Sequence, residues 1–280
     1  MKNKSIRTYF NVLRESTFSY FKEGAHFHAA TISYYTLFST IPLLYLIVVS
    51  FGKLFGEEFC IQAISDLIQN NVGLSNIDVF TGYIKNIHQQ SRSWILNLIM
   101  VGALLYSCSA FMVSLKHSIN DFFDVEHEKN NRNIFLDIIK FRFLSLSYLA
   151  LLALVIFLLY FLQLFVFSFV SSWFNSSNFG LIFIQQIFSL SLNFIIILFI
   201  FKFVHDAKIS WRLASTGAWL TAILLLLSQL LIKWYLQRYF LLGKGDVIGS
   251  VFILMAWVFY SAQVIFFGAK FTYIYGKNLQ

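Results

Sequence analysis

Proline, cysteine and charge are what this sequence of 280 residues has least of. Pro42 is its only proline, so one site of proline bending is written into the chain. Its two cysteines, Cys60 in a polar connection and Cys108 inside an apolar run, belong to different depths and are not expected to pair. Charged residues make up 12% of the chain, whereas a soluble domain carries about a quarter. That is too little polar surface to dissolve a globule of this length. Also missing are a glycine-rich phosphate loop, a nucleophile elbow and zinc-finger spacing. No polar segment is long enough to fold alone as a soluble catalytic domain. Residues 1–22 lack the apolar core and small-residue cleavage site of a secretory signal.

What the chain does have is apolar residues, 58% of the total with a mean hydropathy of +0.70, and they fall in runs rather than stripes. Runs of about 18 or more cross a bilayer as helices. Six are expected, over 32–55, 94–115, 143–170, 179–204, 213–235 and 247–275. Strands are excluded, since a lone strand cannot satisfy its backbone in lipid and barrel strands are short and alternating. The reading is therefore an all-α polytopic membrane protein, with residues 1–280 forming one membrane domain.

Lysine and arginine set the orientation. Counting alternate segments, one side collects fifteen, including Arg7, Arg14, Lys116, Lys129, Lys208 and Lys277, and the other collects six. Both termini are expected on the cytoplasmic side. The net charge of +8 then reflects topology and anionic lipid rather than nucleic acid. In the first outer connection, Cys60, Ile61, Ile64, Leu67 and Ile68 recur at helical spacing, as do Val79, Phe80, Tyr83, Ile84 and Ile87. Two short amphipathic helices are expected there. The charged connection 116–140 is expected to hold a turn or short helix around Asn130 and Asn131.

Polar residues inside apolar runs are the candidates for function, because each is costly in hydrocarbon unless paired. The first span carries Ser33, Tyr34, Tyr35 and Ser39 before Pro42. Their hydroxyls either bond their own helix and pack closely, or wall a cavity beside a Pro42 kink. Gln163, Gln185, Gln186, Asn193, Gln229 and Gln263 are amides within later spans, with Gln186, Ser189 and Asn193 on one face. They either bond between helices or line a wet path. In the last span Gly249, Phe252, Ala256, Tyr260, Gln263, Phe267 and Lys270 follow one helical face. Lys270 either meets an anionic headgroup or snorkels to the interface. Lys233 lies one turn from Gln229. Asp121, Asp124, Glu126 and His127 offer metal-capable side chains, yet without a recognised ligand spacing. No metal or cofactor is implied.

The segment 29–43, Ala-Ala-Thr-Ile-Ser-Tyr-Tyr-Thr-Leu-Phe-Ser-Thr-Ile-Pro-Leu, resembles the opening helix of the YihY/virulence factor BrkB family of bacterial inner-membrane proteins. Gly245, Trp257 and the pair Gly268-Ala269 are similar to the family's closing pattern, and Gly217 to its glycine after a basic inner loop. The resemblance runs along nearly the whole chain and implies six spans and an inner-membrane location. Two departures stand out: Lys270 occupies the place of the family's glutamate after Gly-Ala, and prolines are missing around 204–208. Nothing in these residues supports the ribonuclease name once given to the family.

The function expected is handling or transport of a lipid or other amphipathic envelope component through a cavity between helices. The residues expected along it are Ser33, Tyr34, Tyr35, Ser39, Pro42, Gln186, Asn193, Gln229, Tyr260, Gln263 and Lys270. A membrane-embedded enzyme acting on headgroups through Asp121, Asp124, Glu126 or His127, and a scaffold without chemistry, are the alternatives. The expected partners are membrane lipids, anionic ones foremost, with an envelope protein or a second copy of the chain as further candidates.

Overall fold

The computed structural model describes residues 2–56, 94–125, 178–239 and 247–278, together with Leu144, Ser147 and Leu151. Every regular element among the described residues is helical. Helix α1 (Lys2–Lys22) is followed by α2 (Ala25–Phe55), α3 (Trp94–Phe122), α4 (Asn178–Phe199), α5 (Trp211–Tyr239) and α6 (Val247–Lys277). A π-helical turn, Ile200–Val204, ends α4.

Four stretches are long and apolar enough to cross a membrane: Trp94–Phe122, Gln186–Val204, Trp211–Ile232 and Val251–Lys277. They coincide with the second, fourth, fifth and sixth expected spans. The first falls inside α2, a helix of 31 residues that starts before the apolar run and has Pro42 within it. Apart from Leu144, Ser147 and Leu151, the third span lies outside the described residues, as do both amphipathic helices of the outer connection and the turn around Asn130. The described residues thus carry four apolar spans, fewer than the six expected.

Helix α1 is an element that apolar runs did not reveal. Its buried positions, Val12, Ser16 and Tyr20, recur every four residues, while Arg14, Glu15 and Phe18 are exposed. That spacing gives one buried stripe on a charged helix. The chain leaves α1 through Gly24, whose φ of 67° is the left-handed conformation that glycine adopts without a Cβ clash.

Two compact units divide the chain, one of Met1–His28, Met112–Leu227 and Gln263–Gln280, the other of Ala29–Phe111 and Ser228–Ala262. In the first, Phe122 stacks on Phe266 with centroids 5.2 Å apart and on Tyr20 at 6.4 Å, and Val12 clusters with Phe271 and Ile274. Here α5 and α6 also meet through small residues. A Cβ on Gly217 would collide with Thr272, and one on Gly268 with Thr221. Each threonine hydroxyl is satisfied within its own helix, Thr221 donating to the Gly217 carbonyl at 2.8 Å and Thr272 to that of Gly268 at 2.6 Å. Membrane helices approach closely by this means.

In the second unit Ala29, Ile32, Ser33, Ser107, Ser109 and Ala262 are buried. Both units expose large apolar side chains, among them Leu98, Ile99 and Leu105 on α3 and Leu227 and Leu231 on α5. Water would penalise such surface and lipid solvates it.

Candidate ligand cavity and its ionic supports

Lys270 sits on α6 amid Gly268, Ala269 and Phe271, and is 2% exposed. An unpaired ammonium in such a place is prohibitively costly, so it must be paired. Its Nζ lies 2.6 Å from Glu23 Oε1, 3.0 Å from Asp124 Oδ1 and 4.8 Å from the centre of the Tyr273 ring. Glu23 belongs to the turn after α1 and Asp124 to the turn after α3, so one cation ties three segments. Asp124 has φ 49°, the left-handed region in which aspartate is among the better tolerated non-glycine residues.

A second network lies in the same unit. Lys116 and Asn120, one turn apart on α3, both reach Asp206. The Lys116 Nζ is 2.8 Å from Asp206 Oδ1. The Asn120 amide donates to Oδ2 at 2.9 Å and its oxygen accepts from the Asp206 backbone N–H at 3.0 Å. Burial pushes the Asp206 carboxyl up, but hydrogen bonds from Lys116 and Asn120 outweigh it and hold the group below its ordinary value. Beside it His205 is buried, with Nε2 against the Phe201 carbonyl and its ring 4.3 Å from Phe123. Burial lowers its pKa, against the opposing pull of the Phe201 carbonyl and Asp206. A carbonyl only accepts, so Nε2 carries the proton and Nδ1 is left bare. That Nδ1 is buried with no hydrogen-bond partner among the described residues.

The third polar contact joins α2 to α3, with His28 Nδ1 2.9 Å from Ser118 Oγ and Nε2 3.9 Å from Asp121 Oδ2. Asp121 and Asp124 therefore face different basic side chains, His28 and Lys270, instead of converging. Among the described residues no three histidine, cysteine, aspartate or glutamate side chains gather as a metal would need.

The first two networks adjoin a cavity of about 910 Å³. Its polar wall holds Lys208 from the 205–210 connection, Arg212 from the first turn of α5 and Lys277 from the last turn of α6. Ser210 and Thr216 add hydroxyls, while Phe123, Ile209 and Leu213 give it an apolar side. Tyr273 joins the cavity to Lys270, and Phe123 joins it to His205. No carboxylate is among its lining residues, and none pairs with Lys208, Arg212 or Lys277 among the described residues.

The residues singled out in the sequence divide between the two units. Gln186, Asn193, Gln263 and Lys270 belong to the first, and Ser33, Tyr34, Tyr35, Ser39, Pro42, Gln229 and Tyr260 to the second. Ser33 and Ser39 bond carbonyls of their own helix, at Ala30 and Thr36, both at 3.0 Å. Tyr34 is exposed and packs at a tilt on Phe38 with centroids 4.5 Å apart, Tyr35 is half-buried against it, and Pro42 is buried. Gln263 accepts from the Tyr20 hydroxyl at 3.0 Å, and burial pushes that phenol up to about 12. Gln186 and Gln229 are half-buried, and the Asn193 amide nitrogen is buried with no partner among the described residues.

The face drawn along the last span is not uniformly inward. Phe252 and Tyr260 are 69% and 53% exposed, whereas Lys270 is buried. A helix of 31 residues changes its packing neighbours along its length, so one stripe need not keep one environment. Sequence reasoning missed Glu23, Asn120 and Asp206 entirely. It met Lys208, Arg212 and Lys277 only as topology markers, although the closeness of Lys202, Lys208 and Arg212 along the chain is the signal that could have marked a site.

The sequence profile described as Virulence factor BrkB matches residues 19–280. No curated protein and no solved structure matches the chain significantly.

Proposed function

Because the chain belongs to the virulence factor BrkB family, and its described helices include four able to cross a bilayer, we propose that it handles an amphipathic, anionic envelope component at a membrane face. In this reading it is a single multi-pass domain of the bacterial inner membrane, with six spans and both termini cytoplasmic. The observation that carries the reading is the cavity's mixed lining. Lys208, Arg212 and Lys277 share it with Phe123, Ile209 and Leu213, a combination suited to a ligand with a charged head and an apolar body. The cavity also lies where the spans Trp211–Ile232 and Val251–Lys277 begin and end, the depth at which headgroups are found.

Ser33 and Ser39 bond carbonyls of their own helix, which favours the packing reading for them. Gln186, Asn193 and Gln263 remain candidates for the route along which a ligand moves.

The test is movement of a fluorescent anionic phospholipid between leaflets of vesicles containing the purified protein. Wild type should move it faster than empty vesicles. Lys208→Glu with Arg212→Glu should slow it about tenfold, the size expected when charge-assisted contacts are lost. Equal rates for wild type, the double variant and empty vesicles would sink the reading.

A further inference from the structure

Five cations of the first unit show two fates. Lys116 and Lys270 are neutralised within the chain, by Asp206 and by Glu23 with Asp124. Lys208, Arg212 and Lys277 are exposed, share one cavity and face no carboxylate among the described residues. Three like charges lining one concavity give it a positive potential, which an anion from outside would lower. From this contrast we infer that the cavity is a binding site for a phosphate group, carried by a phospholipid headgroup or free.

The geometry favours phosphate over a simple halide. The three cations come from three segments: a connection, the start of α5 and the end of α6. A tetrahedral oxyanion has enough oxygens to meet all three at once, and the guanidinium of Arg212 bonds two of them side by side. The first turn of α5 opens into the cavity, so the positive end of its dipole has the same sign. At about 910 Å³ the space exceeds what a lone phosphate fills. The apolar side formed by Phe123, Ile209 and Leu213 accommodates what is attached to it. This inference rests on the handling function only in using the same cavity, since binding does not require movement.

Calorimetric titration of the full chain in phosphatidylcholine nanodiscs separates the sources of phosphate. The probes are short-chain phosphatidylglycerol, short-chain phosphatidylcholine and inorganic phosphate. Phosphatidylglycerol is expected to bind at least about tenfold more tightly than phosphatidylcholine, with affinity falling as salt rises. The triple variant Lys208→Gln, Arg212→Gln, Lys277→Gln should lose that preference, while Lys22→Gln, at an exposed lysine outside the cavity, should keep it. Inorganic phosphate bound by wild type and lost in the triple variant, with no lipid preference, identifies a free-phosphate site and supports the inference. A triple variant that melts at the wild-type temperature and still binds both anions as wild type does overturns it. So does a wild-type chain that binds neither.

The outcome is distinct from that of the leaflet assay. Lost binding with undiminished lipid movement keeps this site and removes the cavity from the handling function. Lipid movement without any anion binding by wild type removes the site alone.

Discussion

Gly217 of α5 faces Thr272 of α6 with no room for a Cβ between them, and Gly268 of α6 faces Thr221 of α5 in the same way. The two glycines and two threonines form reciprocal pairs spaced four residues apart on each helix. Close approach is specified twice over.

Gly217→Ala or Gly268→Ala should therefore lower stability by about 1–3 kcal/mol, the usual cost of overpacking, or more because the colliding atoms lie on a buried, hydrogen-bonded threonine. Gly102→Ala on α3 serves as the control, since nothing lies within 4 Å of its added Cβ. Thermal unfolding in detergent reads the difference. Similar melting temperatures for all three variants would contradict the interlock.

Lys270→Met should destabilise the first unit strongly, because it strands the Glu23 and Asp124 carboxylates against each other. Breaking a buried pair costs about 3–5 kcal/mol, and the lower end applies because Asp124 is half exposed. Glu23→Gln and Asp124→Asn should each cost less, since Lys270 keeps one partner. The charge swap Lys270→Glu with Glu23→Lys should recover part of the loss suffered by Lys270→Glu alone. An unfolding temperature of the swap below that of Lys270→Glu would argue against direct pairing.

How much of this was legible beforehand differs by element. Four apolar runs became helices close to their expected bounds, because transfer into lipid depends on composition over about twenty residues and needs no tertiary information. The stripe Val12, Ser16, Tyr20 was also readable, but a search for long apolar runs passes over a charged helix. Lys270 was conspicuous as a lysine in an apolar span. Its fate was not readable, because the partners Glu23 and Asp124 lie far away in sequence and only folding brings them near. The cavity was hidden for a related reason. Its cations come from 208–212 and 277, and along the chain each looked like an ordinary basic residue flanking a span.

His205 gives a pH dependence with a definite sign. Burial, the largest cause, holds its folded pKa below the ordinary value of about 6.5. Between the two values the unfolded chain binds more protons than the folded one, so stability falls as pH falls. The contribution is fully present above about pH 7 and drains away as pH drops below 6.5 toward the folded value. His205→Gln, which keeps a donor for the Phe201 carbonyl but cannot titrate, should show a shallower loss of melting temperature between pH 7 and 5. Parallel curves for the two proteins would rule out His205 as the source.

The left-handed turn at Asp124 has a consequence for what evolution can place there. Residue 124 stops α3 and, with the same side chain, anchors α6 through Lys270. Glycine would suit the backbone but carries no charge. Asparagine would suit it nearly as well but is neutral, and glutamate carries the charge on a longer arm with less tolerance for positive φ. Two requirements that are separate in most proteins, a place for the chain to turn and a counterion for a buried cation, fall on one codon. Neutral drift at that codon is narrow unless position 270 changes with it.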